Sequence, residues 1–161
     1  MAIQKITPFL WYTREAEQAA GLYTRVFPDS RICRVTRMPG ESPAGPPGSV
    51  TIVDFELFGQ GFTAMSAGPM EPFNHAVSFV VSCETQSEVD RYWDGLLDGG
   101  TPEQCGWLRD RFGVCWQVVP TLLPKIMQHP DRARVKRATD AMLQMVKLDV
   151  AKLQAAFDAR Q

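Results

Sequence analysis

The segment CGWLRDRFGVCWQVVP, residues 105–120, decides the fold, because it has the pattern of a β-hairpin and repeats an earlier part of the chain. Stretches rich in apolar and β-branched residues adjoin the turn Arg111-Phe112-Gly113, as in a β-hairpin. Residues 49–67, around the turn that ends at Gly61, have the same pattern. The predicted strand pairs are 49–57 with 62–67 and 106–110 with 114–119, and Gly61 aligns with Gly113.

Each hairpin follows the same three predicted elements, a strand, a helix and a second strand. In the first half these are 3–12, 14–27 and 30–37, and in the second half 76–82, 85–97 and 101–104. Thr85 followed by Glu88 is a capping-box signature for the start of the second helix. The two leading strands align with Pro8 opposite Ala76. The sequence therefore predicts one unit that occurs twice.

A unit of this length cannot bury the apolar face of its sheet alone, so two units are expected to share a core. The prediction is a single α+β domain of paired βαβββ modules, about 3–67 and 75–120, with a C-terminal helical extension over 121–161. In that extension Asp149 is the expected N-cap of the last helix. Two apolar stripes are predicted to pack there, Val135, Ala138, Met142 and Met145 on one face and Val150, Leu153 and Phe157 on another.

Composition excludes several classes of function. The chain has 161 residues, of which 17 are basic and 18 acidic, so the formal charge is -1. This balance gives no electrostatic footprint for nucleic acid or an anionic membrane. Cys83, Cys105 and Cys115 fall in predicted strands or at their ends, which indicates buried thiols. With no secretory signal and no apolar run long enough to span a bilayer, we expect a cytoplasmic protein with free thiols.

Three stretches together carry a resemblance to a known family. They are ITPFLWY (6–12) with its following helix, VSFVVSCETQ (77–86) and CGWLRDRFG (105–113) continuing to Pro120. The chain resembles the PhnB-like family, also described as 3-demethylubiquinone-9 3-methyltransferase-like. This family belongs to the vicinal oxygen chelate (glyoxalase/bleomycin resistance/dioxygenase) superfamily.

The resemblance implies a homodimer in which paired modules curl into an open cup. Enzymes of the superfamily hold a divalent metal in the cup, through the first and last strand of each module, where it acts as a Lewis acid. Carried over, these positions fall on Pro8, Met65, Ala76 and Gln117. Proline and alanine have no side-chain ligand atom, and thioether and neutral amide are poor ligands for a hard cation. The expectation is therefore no metal and no other cofactor.

The leading hypothesis is a protein that binds a small molecule in the cup. Ser78, Gln117, Met65 and Trp107 are the candidate binding residues. Gln117 and Ser78 would hydrogen-bond the ligand, or else satisfy neighbouring polar groups. Trp107 and Trp116 would supply apolar walls, or else fill an ordinary core.

Two alternatives remain. A metal-dependent lyase, isomerase or dioxygenase of the superfamily would need shifted ligands, for which His75, Glu56 and Asp54 are the candidates. Otherwise His75 and His129 are ordinary surface or linker histidines. The second alternative is a non-catalytic structural dimer whose cup is filled by its own side chains, Met65, Trp107 and Phe62 among them.

Two further features bear on function. Arg109, Asp110 and Arg111 cluster at the tip of the second hairpin, as an anion-binding edge or, more simply, a solvated turn. Methyl transfer from S-adenosylmethionine normally needs a glycine-rich turn between a strand and a helix. The one candidate, Gly59-Gln60-Gly61, joins two predicted strands. The sequence thus argues against methyltransferase activity.

Overall fold

The computed structural model describes residues 4–159, which form two compact units that meet in sequence between Pro72 and Phe73. Each unit has its own four-stranded mixed sheet with a helix against one face. This confirms the α+β class. The boundaries of the modules and their grouping as one domain stay predictions.

In the first unit a short strand, helix and three further strands follow one another. Their bounds are β1 Phe9–Tyr12, α1 Ala16–Val26, β2 Arg31–Arg37, β3 Thr51–Leu57 and β4 Gln60–Ser66. The sheet order is β1-β4-β3-β2, with β1 parallel to β4 and the other pairs antiparallel. The leading strand is shorter than predicted, and Ile3 of that prediction lies outside the described residues.

The first core forms where α1 packs on its sheet. Ala16, Ala19, Ala20 and Tyr23 on the helix are fully buried, as are Val53 and Ala64 in the strands. The small alanines recur at helical spacing and let the helix approach the sheet closely. Alternate strand residues face α1, and the intervening ones form the other face of the sheet.

The second unit repeats this arrangement and adds three helices. Its elements are β5 Phe79–Cys83, α2 Gln86–Leu97, β6 Thr101–Pro102, β7 Trp107–Arg109, β8 Cys115–Pro120, α3 Leu122–Met127, α4 Arg132–Met142 and α5 Val150–Asp158. The sheet order is β5-β8-β7-β6, again with the first and last strands parallel. The hydroxyl of Thr85 accepts from the amide of Glu88 at 3.2 Å, so the predicted helix cap is confirmed.

Strand register corrects the predicted alignment of the two halves by one residue. Trp11 pairs with Met65 in the first sheet, and Val80 pairs with Gln117 in the second. If Met65 and Gln117 are equivalent, Trp11 is equivalent to Val80, and Pro8 to Val77 rather than Ala76. The predicted second leading strand, 76–82, was also placed too early, because β5 begins at Phe79.

The C-terminal helices pack within the second unit around an apolar cluster of their own. Its buried members are Ile126, Ala138, Leu148, Leu153 and Phe157. Met142 and Met145 are partly buried against this cluster, although Met145 lies beyond the end of α4. The carboxylate of Asp149 accepts from the amide of Lys152 at 2.9 Å, which confirms the predicted N-cap.

Residues 104–106 form a 3₁₀ turn where a strand end was predicted. Cys105 lies in this turn with a φ of 61° and is only half-buried, so its prediction as a buried strand thiol was wrong. The amides of Cys105 and Gly106 donate to the carbonyls of Met145 and Val146, both at 2.8 Å. This pairing attaches the C-terminal segment to the second hairpin. Cys83 and Cys115 are buried in strands as predicted.

Candidate functional site

The second sheet has one face against α2 and one face that carries polar side chains. Leu108, Trp116 and Val118 are buried toward α2, whose own buried side chains include Val89 and Trp93. Because strand side chains alternate, the residues between them point to the opposite face. We call that opposite side the binding face; its members are His75, Ser78, Val80, Glu103, Trp107, Arg109, Cys115 and Gln117.

Two of the predicted binding residues meet at the centre of the binding face. The amide nitrogen Nε2 of Gln117 donates to the hydroxyl oxygen of Ser78 at 2.9 Å. Ser78 was predicted to lie inside a strand, but it lies just before β5. An amide that donates through nitrogen keeps its carbonyl oxygen as an acceptor, and a hydroxyl that accepts keeps its hydrogen as a donor. Gln117 and Ser78 therefore offer one acceptor and one donor.

Apolar side chains flank Gln117 on both sides. Its cross-strand partners are Trp107 on β7 and Val80 on β5. Val80 is 58% exposed, and Trp107 is half-buried, in contrast to Trp116, which is 2% exposed in the core. Trp116 therefore fills the core, whereas Trp107 offers apolar surface beside Gln117. A polar centre between apolar neighbours is typical of a small-molecule site.

A charged group lies next to Trp107. The imidazole Nε2 of His75 is 2.7 Å from one carboxylate oxygen of Glu103, and Arg109 Nη2 is 3.4 Å from the other. The rings of His75 and Trp107 have centroids 6.0 Å apart. Nothing in the sequence pattern pointed to Glu103. It follows the two-residue strand β6, and its amide donates to the carbonyl of Trp107 at 2.9 Å, which fixes it there.

Arg109 also borders a buried thiol. Cys115 is its cross-strand partner and is 1% exposed. Burial raises the pKa of the Cys115 thiol, partly opposed by the guanidinium of Arg109. Cys83, on the α2 side, has its pKa raised by burial to about 12. Both thiols are protonated at neutral pH, so neither is a nucleophile.

The corresponding face of the first sheet is arranged differently. Arg34 donates to Asp54 at 2.6 Å, Asp54 accepts from Thr63 at 3.0 Å, and Arg31 pairs with Glu56 at 2.9 Å. Of these groups, Arg34, Asp54, Glu56 and Thr63 border a shallow depression of about 510 Å³. Met65 lies apart from them, between Trp11 and Ile52 in register. The candidate ligands Asp54 and Glu56 are thus both committed to arginines.

The donor atoms do not suit the metal site of the superfamily. In the first unit the two positions hold Pro8 and Met65, and in the second they hold Val77 and Gln117. The corrected alignment puts Val77 instead of Ala76 at this position, and the side chain of valine has no ligand atom either. Among residues 4–159 no three side chains of His, Cys, Asp or Glu come together as a metal-binding group.

Asp110 corrects the interpretation of the hairpin tip as a solvated turn. Its side chain is 3% exposed and accepts from the amides of Phe112 and Val114 and from the indole of Trp116, at 2.8, 3.0 and 2.9 Å. Arg111 points outward and pairs with Asp98. Asp110 closes the hairpin that carries Trp107 and Gln117. The signal was present in the sequence as an Asp three residues before a Gly, a common turn pattern.

The family profile described as 3-demethylubiquinone-9 3-methyltransferase matches residues 4–119. A solved structure from Bacillus cereus, described as a putative 3-demethylubiquinone-9 3-methyltransferase, PhnB protein, is 32% identical. It has a TM-score of 0.64, and the alignment covers 73% of this chain and 100% of that one. No functionally curated protein is similar enough to this chain to count as a match.

More distant structures share the fold. A protein from Pseudomonas aeruginosa is 21% identical with a TM-score of 0.57, over 74% of this chain and 98% of that one. The fosfomycin resistance protein FosX from Listeria monocytogenes is 12% identical with a TM-score of 0.55, over 80% and 100%. Within the described residues no helix is both long and apolar enough to cross a membrane. The chain belongs to the 3-demethylubiquinone-9 3-methyltransferase-like family of the vicinal oxygen chelate superfamily.

Proposed function

We propose that this protein binds a small molecule on the binding face of its second sheet and does so without a metal. The observation that carries the proposal is the hydrogen bond between Gln117 and Ser78 beside the half-buried ring of Trp107. It supplies hydrogen-bonding groups of fixed direction next to apolar surface, the combination that orients a ligand. Met65 lies in the other unit, so its contact with the ligand stays a prediction.

Methyl transfer is not part of the proposal, although the family description names it. Of the glycine-rich stretch Gly59-Gln60-Gly61, only Gly59 lies in the two-residue turn from β3 to β4, and Gln60 and Gly61 begin β4. A cofactor phosphate or carboxylate would instead be bound by a turn that leads into a helix N-terminus. The binding hypothesis needs no such turn.

We also propose a cytoplasmic homodimer. The family resemblance supports the dimer, and the four free thiols Cys33, Cys83, Cys105 and Cys115 suit a reducing compartment. Light scattering coupled to gel filtration should give twice the 18.0 kDa mass of the chain. A monomeric mass at micromolar concentration would contradict the dimer without affecting the binding proposal.

The binding proposal is tested by a thermal-shift screen of the purified chain over small aromatic and quinone-like compounds. A ligand at a hundred times its dissociation constant stabilises the folded state by about 2.7 kcal/mol, which is a readily measured shift. Gln117→Leu and Ser78→Ala should weaken the hits. Thr63→Ala, which removes a polar group from the first sheet, is the matched control and should leave them unchanged.

Two results would contradict the proposal. The first is a screen in which no compound stabilises the protein, which favours the structural dimer. The second is stoichiometric metal in protein purified without chelator, lost in His75→Ala, which favours the metal-dependent enzyme.

A further inference from the structure

We propose that the binding face selects an uncharged, flat aromatic molecule that bears a hydroxyl group, and that this hydroxyl donates a hydrogen bond to Nδ1 of His75. The inference rests on the proposed function and names the ligand class. It follows from the hydrogen-bonding state of His75, from the acceptors around it, from the flat apolar surface beside it and from the local charge balance.

Glu103 determines which nitrogen of the neutral His75 ring carries the hydrogen. A carboxylate can only accept, so the imidazole nitrogen 2.7 Å from it, Nε2, carries the hydrogen. In the neutral ring the other nitrogen, Nδ1, then holds an unshared electron pair. Within residues 4–159 no group donates to Nδ1. A carboxylate behind an imidazole also makes its free nitrogen a better acceptor.

The groups around His75 select a donor on the ligand. Gln117 uses its Nε2 on Ser78, so its carbonyl oxygen is a second acceptor with no protein donor among the described residues. Both carboxylate oxygens of Glu103 already accept, one from His75 and one from Arg109. A ligand that could only accept would leave Nδ1 and this carbonyl unpaired, which costs binding free energy. A hydroxyl satisfies one of them directly.

The shape of the ligand follows from Trp107 and Val80. Trp107 lies with its ring centroid 6.0 Å from that of His75, so an aromatic ring over Trp107 can extend a substituent to the imidazole. Aromatic pairs prefer offset-stacked or edge-to-face arrangements over a face-to-face sandwich. Val80, on the opposite side of Gln117, is 58% exposed and provides apolar surface for the far edge of a fused ring.

Charge balance favours an uncharged ligand. Arg109 and Glu103 form an ion pair, so the positive charge of the guanidinium is already balanced by a carboxylate. An anion would compete with Glu103 for the guanidinium of Arg109. An anionic ligand would have to displace the carboxylate of Glu103, a residue whose backbone amide is anchored on the carbonyl of Trp107.

The test is isothermal titration calorimetry of the full chain with three naphthalenes that differ in one substituent. They are 2-naphthol, 2-methoxynaphthalene, which cannot donate, and 2-naphthoate, which is anionic. We expect 2-naphthol to bind at least tenfold more tightly than either of the others. His75→Phe, which keeps a ring and removes the acceptor, should reduce 2-naphthol to the affinity of the ether.

Glu103→Gln should weaken 2-naphthol less than His75→Phe, because an amide still contacts Nε2 but no longer fixes its hydrogen. Asp54→Asn on the first sheet is the control and should change nothing, and circular dichroism checks that every variant folds. Equal affinity of 2-naphthol and the ether, tighter binding of 2-naphthoate, or no effect of His75→Phe would each overturn the inference. None of these outcomes contradicts ligand binding in general, which the thermal-shift screen decides separately.

Discussion

The two sheets have the same topology but differ in what their equivalent faces carry. On the first sheet the charged side chains form direct pairs, Arg34 with Asp54 and Arg31 with Glu56. On the second sheet a histidine, a carboxylate and an arginine share one cluster beside Gln117 and Trp107. The two sheets therefore share their strand pairing but differ in their polar groups. Those on the first sheet are satisfied by one another, whereas the second sheet leaves hydrogen-bond acceptors available.

The hairpins at the base of these faces also differ. In the first unit β3 and β4 are joined by Phe58 and Gly59, with φ of 50° and 76°, the conformation of a tight two-residue turn. In the second unit the loop between β7 and β8 is held by the buried carboxylate of Asp110. Backbone conformation closes the first hairpin, and a side chain closes the second. The following predictions test this difference, in order of expected effect.

Replacing Asp110 should have the largest effect on stability. Asp110→Ala leaves the amides of Phe112 and Val114 and the indole of Trp116 without their acceptor in a buried site. Each unsatisfied donor costs about 1–3 kcal/mol, so we expect a loss of about 3 kcal/mol or more in the free energy of unfolding. Urea denaturation followed by tryptophan fluorescence measures it. Asp98→Ala, which removes an exposed carboxylate from the same region, should cost less than about 1 kcal/mol.

Substitution of one glycine in each unit distinguishes the cost of close packing from the cost of backbone strain in a turn. Gly106 has a φ of 84°, and a Cβ there would lie 2.8 Å from the carbonyl oxygen of Val118. Gly59 has a φ of 76° but open space around it. Gly59→Ala should cost about 1 kcal/mol from backbone strain alone. Gly106→Ala should cost clearly more, because backbone must move as well, and equal losses in thermal denaturation would contradict this packing.

The ion pairs that join a helix to neighbouring segments predict a pH dependence specific to the second unit. The pKa of Asp90 is lowered, first by its hydrogen bond with Gln86 and then by Lys147. Burial acts to lower the pKa of Lys147, but hydrogen bonds with Asp94 and Asp90 outweigh it and raise the pKa overall.

A carboxyl group whose pKa is lowered by folding stabilises the fold at pH values above its ordinary pKa. This stabilisation is lost as the pH falls through the pKa of the folded state. An ammonium group whose pKa is raised by folding stabilises the fold at pH values below its ordinary pKa. This stabilisation is lost as the pH rises through the pKa of the folded state. Stability should therefore decline at both ends, and Lys147→Met should reduce both declines while costing less than about 1 kcal/mol at neutral pH. Arg37→Met, which breaks the pair with Glu17 in the first unit, is the control. Unchanged pH profiles in Lys147→Met would refute this coupling.

The smallest stability effect is expected from paired changes on the two polar faces. Asp54→Asn and Glu103→Gln each weaken a partly exposed ion pair and should each cost less than about 1 kcal/mol. Their effects on ligand affinity should differ, with a loss only for Glu103→Gln. A loss of ligand affinity in Asp54→Asn would mean that the ligand binds on the first sheet, which contradicts the proposal.

Local signals made the architecture predictable from sequence. The caps at Thr85 and Asp149 depend on residues within one helical turn, and both were identified correctly. The order of elements followed from apolar periodicity. Strand alignment failed by one residue because the signals at Pro8 and Ala76 are weak, whereas the register is determined by the pairing of Trp11 with Met65 and of Val80 with Gln117.

The site was predictable only in part. Ser78, Gln117 and Trp107 were chosen from strand position, and the structure brings these three together, while Met65 lies on the first sheet. Glu103 contacts His75, 28 residues before it, and Arg109 on the adjacent strand β7, and strand pairing rather than a local sequence pattern brings these groups together. Asp110 was misjudged because its charged neighbours suggested solvent, although the turn pattern itself was visible.

The most direct test of the central claim is a two-dimensional ¹H–¹⁵N NMR titration with the strongest compound from the thermal-shift screen. The side-chain amide of Gln117 and the indole N–H of Trp107 report on the binding face, and the indole N–H of Trp11 reports on the first sheet. We predict large shifts of the Gln117 and Trp107 signals with little change at Trp11. Shifts concentrated at Trp11, with Gln117 and Trp107 unmoved, would contradict binding on the second sheet.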